Sequence, residues 1–324
     1  MNHNVEDIVN NNRIHIIMTK KIRKALLVIL ILSSSLISFG QRDPMYTQYI
    51  FNMQTINPAY AGTWQSLGFI ALSRIQWVGI QDAPRTQTLS IQTPFKTEKV
   101  GLGFNIVHDK IGMEDRLLVN FDYSYRLSLS EATSLRFGIK GGFTNYSNPL
   151  GFYQTYTPGD PNFQGYIDNK FMPNVGVGAF MYSNRSYLGL SVPKLVEARF
   201  KNTENDYATL SELREMYLSG GLVFDLSTSI KFKPTFLFKY AQHAPMQYDL
   251  SANFLFSEKL WLGGMYRSGD AIGVIVQWIV QNRFRIGYSA DFSTTEISRY
   301  SGGIHEIMVS YEIDWKKFIS PRYF

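Results

Sequence analysis

The sequence contains no cysteine among its 324 residues. This absence excludes disulfide bonds, thiolate metal sites, a cysteine nucleophile and lipid attachment to a cysteine. Beyond residue 40, no segment approaches the run of about 18 apolar residues that a membrane-spanning helix needs. The later chain is therefore not a helical membrane protein. Charged residues are also scarce, at 18% against about 25% in ordinary globular proteins.

Aromatic residues are abundant at 15%, and there are 25 glycines. Together with the few charges, they suit a strand-rich chain whose surface is partly out of water. The mean hydropathy of −0.13 resembles that of a soluble protein. A membrane barrel gives the same value, because polar lumen residues offset apolar lipid-facing ones. Part of the net charge of +6 comes from a basic cluster at 20–24, and Lys and Arg are scattered singly beyond residue 40, so the sequence indicates no nucleic-acid partner.

Residues 1–40 have the features of a signal peptide. Basic residues at 20–24 precede an apolar run at 25–32, and small residues lead to Gly40. Cleavage there would leave Gln41 first. A membrane anchor is the alternative, but the apolar run is too short for a typical span of about 20 residues. The stretch before Lys20 is long and polar for a signal peptide, so we expect the true start at Met18.

Beyond residue 62, apolar and polar residues alternate with a period of two. In 117–127, one face carries Leu117, Val119, Phe121, Tyr123, Tyr125 and Leu127. The opposite face is mostly polar, as a strand between two environments requires. A soluble sandwich also alternates. However, the apolar faces match the 9–11 residues of a tilted membrane strand, and aromatics concentrate near strand ends.

The pattern predicts an all-β fold, a transmembrane antiparallel β-barrel of about 14 strands over 63–324, preceded by a pre-barrel segment at 41–62. The predicted strands start near Leu67, Arg85, Val100, Leu117, Ser134, Asn174, Ser186, Met216, Ser229, Gln247, Leu260, Ala271, Phe284 and Gly303. Two longer gaps, 145–173 and 193–215, are predicted as extracellular loops. The second is expected to carry a short helix around 208–215.

The sequence shows no catalytic or metal-binding motif. His108, His243 and His305 lie in none of the hydrolase or zinc patterns. The glycine pairs lack the Lys-Ser/Thr of a phosphate loop. The acidic residues do not have calcium-loop spacing. We therefore expect no enzyme activity, no cofactor and no metal. A barrel hydrolase built from separate Ser, His and Asn is the least favoured hypothesis, after the secretion and channel roles considered below; it is called the third hypothesis.

Several separated motifs, in register over 41–324, resemble the PorP/SprF family. They are QRDPMYTQY at 41–49, NPAYAG at 57–62, RIQWVG at 74–79, APRTQ at 83–87, YLGLSVP at 187–193, GYSADF at 287–292, SRYSGG at 298–303, HEIM at 305–308 and SPRYF at 320–324. Within them, the candidates for binding a partner or plugging the lumen are Asp43, Pro44, Tyr46, Asn57, Pro58, Tyr60, Arg74, Trp77, Arg299, Tyr300, His305 and Glu306.

The resemblance implies an outer-membrane protein of the type IX secretion and gliding-motility machinery of Bacteroidota. It implies a partner that is a secreted adhesin or another type IX substrate, whose export or surface attachment the barrel supports. Periplasmic secretion subunits and the lipid bilayer are further implied partners. It implies no catalytic residue. A porin or transporter with a conducting lumen is the alternative.

The pre-barrel segment precedes the first strand, so we expect it to begin on the periplasmic side. There it would either plug the lumen or present itself to a periplasmic partner.

Overall fold

The structure is a computed structural model. It describes residues 43–313 except 65, 96–97, 153–166, 202–207, 213, 243 and 282. The predicted signal peptide at 1–40, His243 and the terminal motif at 320–324 lie outside the described residues. Among the described residues, no helix is long and apolar enough to cross a membrane.

A closed antiparallel barrel forms the body of the protein. Its wall has 14 strands, each paired with its neighbours, and the pairing of β1 with β17 closes the ring. The two-residue β11 continues the line of β10 along β12. The strands are Leu67–Ile75 (β1), Arg85–Phe95 (β2), Val100–Ile111 (β3), Glu114–Ser128 (β4), Thr133–Asn148 (β5), Ile167–Ser183 (β6), Ser186–Val192 (β7), Ala198–Lys201 (β8), Ala208–Glu212 (β9), Glu215–Leu222 (β10), Phe224–Asp225 (β11), Ile230–Ala241 (β12), Gln247–Phe256 (β13), Leu260–Arg267 (β14), Ala271–Val280 (β15), Phe284–Ser293 (β16) and Ile304–Ile313 (β17).

The burial pattern follows the period-two alternation that the sequence predicts. In β15, buried and exposed residues alternate at every position from Ala271 to Val280. The exposed positions are apolar: Ile272, Val274, Val276, Trp278 and Val280. An apolar face that stays exposed in a monomer is the outer band of a membrane barrel. The predicted all-β barrel of about 14 strands is confirmed.

The two ends of the barrel differ in the length of their connections. At one end, here called the long-loop end, the strands are joined by 76–84, 112–113, 149–166, 193–214, 242–246, 268–270 and 294–303. At the other, the short-turn end, they are joined by 96–99, 129–132, 184–185, 223–229, 257–259 and 281–283. Because consecutive strands are antiparallel, all connections within one group share an end.

Two details of the sequence interpretation are wrong. β6 begins at Ile167 rather than near Asn174. Pro173 suggested a loop, but it lies inside β6 opposite Phe143. Second, the described residues of 208–215 are not helical. Ala208–Glu212 instead pairs with Ala198–Lys201 as a separate two-stranded sheet, because the cross-strand partner overrides local helix propensity.

The outward-facing surface makes a depth-dependent prediction. Val276→Arg, near the middle of β15 on the exposed face, should destabilise the barrel by about 2–4 kcal/mol, because its charge would lie in hydrocarbon. Val280→Arg, on the same face at the strand end, should cost about 0–1 kcal/mol. Urea unfolding of both variants in lipid vesicles measures the difference, and equal costs would contradict the membrane placement of β15.

Candidate functional site

The segment 43–64, here called the lumen plug, fills the interior of the barrel. It forms three short 3-10 helices, Thr47–Phe51, Met53–Thr55 and Pro58–Tyr60. The last begins at Pro58, whose missing N–H costs nothing at the first position of a helix. The Asn57 side chain accepts a hydrogen bond from the Ala59 amide at 2.9 Å. Asn57 and Pro58 therefore cap and start the third helical turn of the plug.

Apolar side chains of the plug form the main core of the molecule. They share one cluster with inward-facing residues of the wall, including Ile70, Leu237 and Met308. The fully buried plug residues of this cluster, at 0–1% exposure, are Tyr49, Ile50, Met53, Ala59 and Tyr60. The ring of Tyr60 packs edge-on against Phe180, with centroids 5.4 Å apart. A core of this kind occupies the space in which an open porin would hold water.

The plug crosses the lumen once, from one end to the other. Asp43 contacts Arg116, near the start of β4, and Lys194, just after β7. Both lie at the long-loop end. Ser66, just beyond the plug, donates a hydrogen bond to Glu312 near the last residue of β17, at the short-turn end. The sequence led us to expect this segment to begin on the periplasmic side, beside the start of β1, but its first contacts lie at the opposite end of the barrel from the start of β1.

A buried carboxylate anchors the first helix of the plug. The amides of Thr47 and Gln48 donate to Glu306 Oε1 and Oε2 at 2.8 and 3.0 Å. Arg74 Nη1 donates to the same carboxylate at 2.5 Å, and both side chains are 1% exposed. The hydroxyl of Thr47 also donates to Asp291. Since the first amides of a helix lack intrahelical acceptors, a carboxylate there satisfies two donors at once.

A second ionic contact holds the start of the plug. Asp43 pairs with Arg116 at 3.1 Å and with Lys194 at 2.9 Å. Burial opposes the ionisation of this carboxyl, but the two cations outweigh it and hold the pKa of Asp43 well below its ordinary value. Asp43 is therefore charged at physiological pH.

The far end of the plug is fastened through its backbone. Arg136 of β5 donates to the carbonyls of Ala61 and Gly62 at 3.4 and 3.0 Å. The hydroxyl of Ser124 also donates to the Ala61 carbonyl, at 2.6 Å. The wall approaches closely here, and a Cβ on Gly101 would overlap that same carbonyl. Glycine at this position allows the plug backbone to lie directly against β3.

The structure divides the candidate residues into two groups. Those inside the barrel or at its mouth are Asp43, Pro44, Tyr46, Asn57, Pro58, Tyr60, Arg74 and Glu306. Those at the long-loop rim, away from the plug, are Trp77, Arg299, Tyr300 and His305.

At the rim, two loops support each other. The Val78 amide donates to the Gly303 carbonyl at 3.0 Å, and the Gly302 amide donates to the Val78 carbonyl at 2.6 Å. Trp77 has a φ of +49°, which is strained for a bulky residue and is held by these contacts. Tyr300 is 77% exposed.

Several charged residues that hold the plug did not stand out in the sequence. Gln54 donates to Asp122 at 3.1 Å, and Lys140 approaches the same carboxylate at 3.7 Å. Arg267 donates to the Tyr46 carbonyl at 3.4 Å while pairing with Asp249. The available signal was a charged residue at an inward position of an alternating strand. That signal marks the lumen, but it does not say what lies opposite.

The described residues contain no group of three or more His, Asp or Glu side chains placed to hold a metal ion. His108 hydrogen-bonds to Asp115 at 3.0 Å on an exposed strand end. His305 Nδ1 shares a hydrogen bond with the Tyr288 hydroxyl at 2.7 Å.

A closed antiparallel barrel with an apolar outer band defines an outer-membrane β-barrel protein. The family model for the type IX secretion system membrane protein PorP/SprF matches residues 38–311. The chain belongs to this family, which confirms the resemblance and, with the barrel, the outer-membrane location. No curated protein sequence matches the chain.

Three solved structures illustrate what the chain is similar to. Omp33 of Acinetobacter baumannii matches with a TM-score of 0.47 at 9% identity, over 77% of this chain and 100% of that one. The CymD monoaromatic hydrocarbon channel matches with a TM-score of 0.48 at 11% sequence identity, over 85% of this chain and 95% of that one. A FadL homologue of Pseudomonas aeruginosa matches with a TM-score of 0.44 at 10% sequence identity, over 85% of this chain and 96% of that one.

The close approach of wall and plug predicts a matched pair of variants on β5. A Cβ on Gly138 would overlap the backbone of Ala59, whereas Gly141, on the outer face, has nothing within 4 Å. Gly138→Ala should therefore destabilise the protein by about 1–3 kcal/mol, the usual cost of overpacking. Gly141→Ala should be close to neutral. Urea unfolding of both variants in lipid vesicles tests this, and similar midpoints would argue against a tightly packed plug.

Removing the Glu306 carboxylate, which anchors the first helix of the plug, should destabilise the folded state. Glu306→Ala leaves two plug amides without an acceptor and Arg74 with only Asp291, 3.5 Å away. We expect a loss of about 3 kcal/mol, the lower end for breaking a buried pair. Glu296→Ala, which breaks an ion pair with Arg299 whose side chains are 71% and 82% exposed, should have almost no effect. The free energy of unfolding measured by urea titration distinguishes them.

Proposed function

We propose that this protein is a closed, non-catalytic outer-membrane scaffold that supports the export or surface attachment of a secreted protein through its long-loop end. The observation that carries the proposal is the burial of the lumen plug. Because the chain itself fills the interior of the barrel, a secreted partner would be recognised at the long-loop rim. The partner class, a secreted adhesin or another type IX substrate, follows from membership of the family.

The contacts of the plug support a permanent rather than loosely seated closure. Its backbone and side chains bind wall residues on both sides of the ring, among them Ser90 on β2, Ala179 on β6 and Thr235 on β12. Each neutral hydrogen bond contributes about 0.5–1.5 kcal/mol, and the apolar cluster adds burial to this. Opening a conducting path would require many of these contacts to break together, which disfavours the alternative of a porin or transporter.

The long-loop end offers a surface suited to a protein partner. It exposes large apolar side chains above the strands, on connections braced by backbone hydrogen bonds such as Val78 to Gly303. These side chains are Met113, Phe152, Val196, Met246 and Tyr300. Exposed aromatic and methionine side chains on a rigid scaffold are typical of protein-binding surfaces. Much of the predicted extracellular loop at 145–173, namely 153–166, lies outside the described residues.

The described histidines support a binding role over catalysis. A hydrolase of the third hypothesis needs a base that contacts a nucleophile. The hydrogen-bond partners of His108 and His305 are Asp115, Tyr288 and the Gly302 carbonyl. Both histidines lie at the rim, where these contacts stabilise strand ends and loops. We accordingly propose that the protein is not an enzyme.

Capture of the secreted partner tests the proposal. An affinity-tagged full-length protein, purified from its native cells with gentle detergent, should retain a secreted type IX substrate identified by mass spectrometry. Tyr300→Ala should reduce that capture several-fold, since interface aromatics carry much binding energy. Leu226→Ala, an exposed apolar residue at the short-turn end, is the matched control and should leave capture unchanged.

Conductance separates the scaffold from the channel. The purified protein in planar bilayers should show no large, steady open pore. A stable ohmic conductance, or capture that is equally affected by Tyr300→Ala and Leu226→Ala, would overturn the proposed function.

A further inference from the structure

The path of the lumen plug determines which side of the membrane its first residues face. The contacts of successive plug residues move steadily along the barrel. Asp43 binds Arg116 and Lys194 at the long-loop end. Thr47 binds Glu306, still near that end, because β17 begins at Ile304. The segment therefore enters the lumen among the long loops.

The second half of the plug lies progressively closer to the short turns. Asn57 donates to the Ala179 carbonyl, towards the end of β6. The Ala61 carbonyl accepts from Ser124, near the end of β4. The Trp64 ring lies 5.1 Å from the Arg285 guanidinium, at the start of β16. No described part of the plug turns back, so the chain passes through the lumen once.

The length of the segment agrees with a single crossing. Its three 3-10 helices hold 11 of the 22 residues and, at a rise of about 2 Å per residue, account for about 22 Å, to which the other residues of 43–64 add. The apolar band of an outer-membrane barrel is about 25 Å tall. A hairpin that entered and left at one end would have to place Asp43 beside Trp64, and their contacts lie at opposite ends.

The lengths of the connections give the orientation in the membrane. Outer-membrane barrels place short turns in the periplasm and longer loops outside the cell. In this barrel the long connections 76–84, 149–166, 193–214 and 294–303 share the end that holds Asp43. The longest connection at the other end is 223–229.

We propose that the lumen plug enters this barrel from the cell surface: Asp43 lies in the extracellular mouth, beside Arg116 and Lys194. The ion pairs of Asp43 with Arg116 and Lys194 fix this entry point. The proposal rests on the route of the plug alone and holds whether or not the proposed partner role is correct.

Single cysteines test the proposal, because the natural chain has none. Pro44→Cys reports the start of the plug. Tyr300→Cys, on an exposed rim residue, and Ser227→Cys, on an exposed short turn, calibrate the two ends. Intact cells are treated with a membrane-impermeant maleimide, and labelling is compared with that after lysis. We expect Pro44→Cys and Tyr300→Cys to label in intact cells and Ser227→Cys to label only after lysis.

A crosslink tests the route independently of reagent access to a half-buried position. In the double variant Asp43→Cys/Lys194→Cys, a short membrane-impermeant bismaleimide should join the two thiols in intact cells. The control Asp43→Cys/Ser227→Cys should give no crosslink, because its thiols lie at opposite ends. Proteolytic fragments analysed by mass spectrometry identify the linked peptides.

The proposal fails if Tyr300→Cys labels only after lysis, because the long-loop end would then be periplasmic. It also fails if the Asp43/Lys194 pair does not crosslink in intact cells while each single thiol reacts after denaturation. Capture of a secreted partner plays no part in either readout, so failure here leaves the proposed function to its own test.

Discussion

The carboxylate of Glu306 meets the plug and the wall at the same point. It accepts from the amides of Thr47 and Gln48 and pairs with Arg74, all away from water. A buried carboxylate is costly unless it is paired and fully hydrogen-bonded. Each partner here therefore depends on the others: without the plug the carboxylate loses two donors, and without the carboxylate the first plug helix loses its cap. The lumen of this outer-membrane protein stays filled because the plug and the Glu306–Arg74 pair stabilise each other.

Because the plug is buried in the lumen, inward-facing residues of the wall contact the plug instead of water. In an open porin, inward-facing polar residues line water. In this protein, Ser124, Arg136 and Lys140 bind the plug backbone, and Gly101 and Gly138 lack the side chains that would push it away. The wall is thus shaped around a particular chain. The strain at Trp77 and the exposed Tyr300 lie outside this packed region, at the rim where a partner can reach them.

Much of the fold could be predicted from the sequence, because a strand between lipid and lumen alternates its residues visibly. β1, β2, β3, β7, β13, β14, β15 and β16 start at the predicted residues. The prediction was wrong where the same residues can form either a loop or helix or a strand, depending on what they pair with. Pro173 ends the predicted loop 145–173 but lies within β6, and Ala208–Glu212, in the predicted helix, is a strand that pairs with Ala198–Lys201. Local propensity is a weak guide wherever a tertiary partner decides.

By itself, the sequence determined the class of the protein: a barrel in the outer membrane, its family motifs, and the candidates Tyr46, Arg74 and Glu306 that the structure brings together. It did so because periodicity and motifs are local. Only the tertiary structure decided that Asp43 lies beside Lys194 and Ser66 beside Glu312, which sets the direction of the plug. Those contacts join residues far apart in the chain, and a strand pattern records which face a side chain occupies but not what lies opposite.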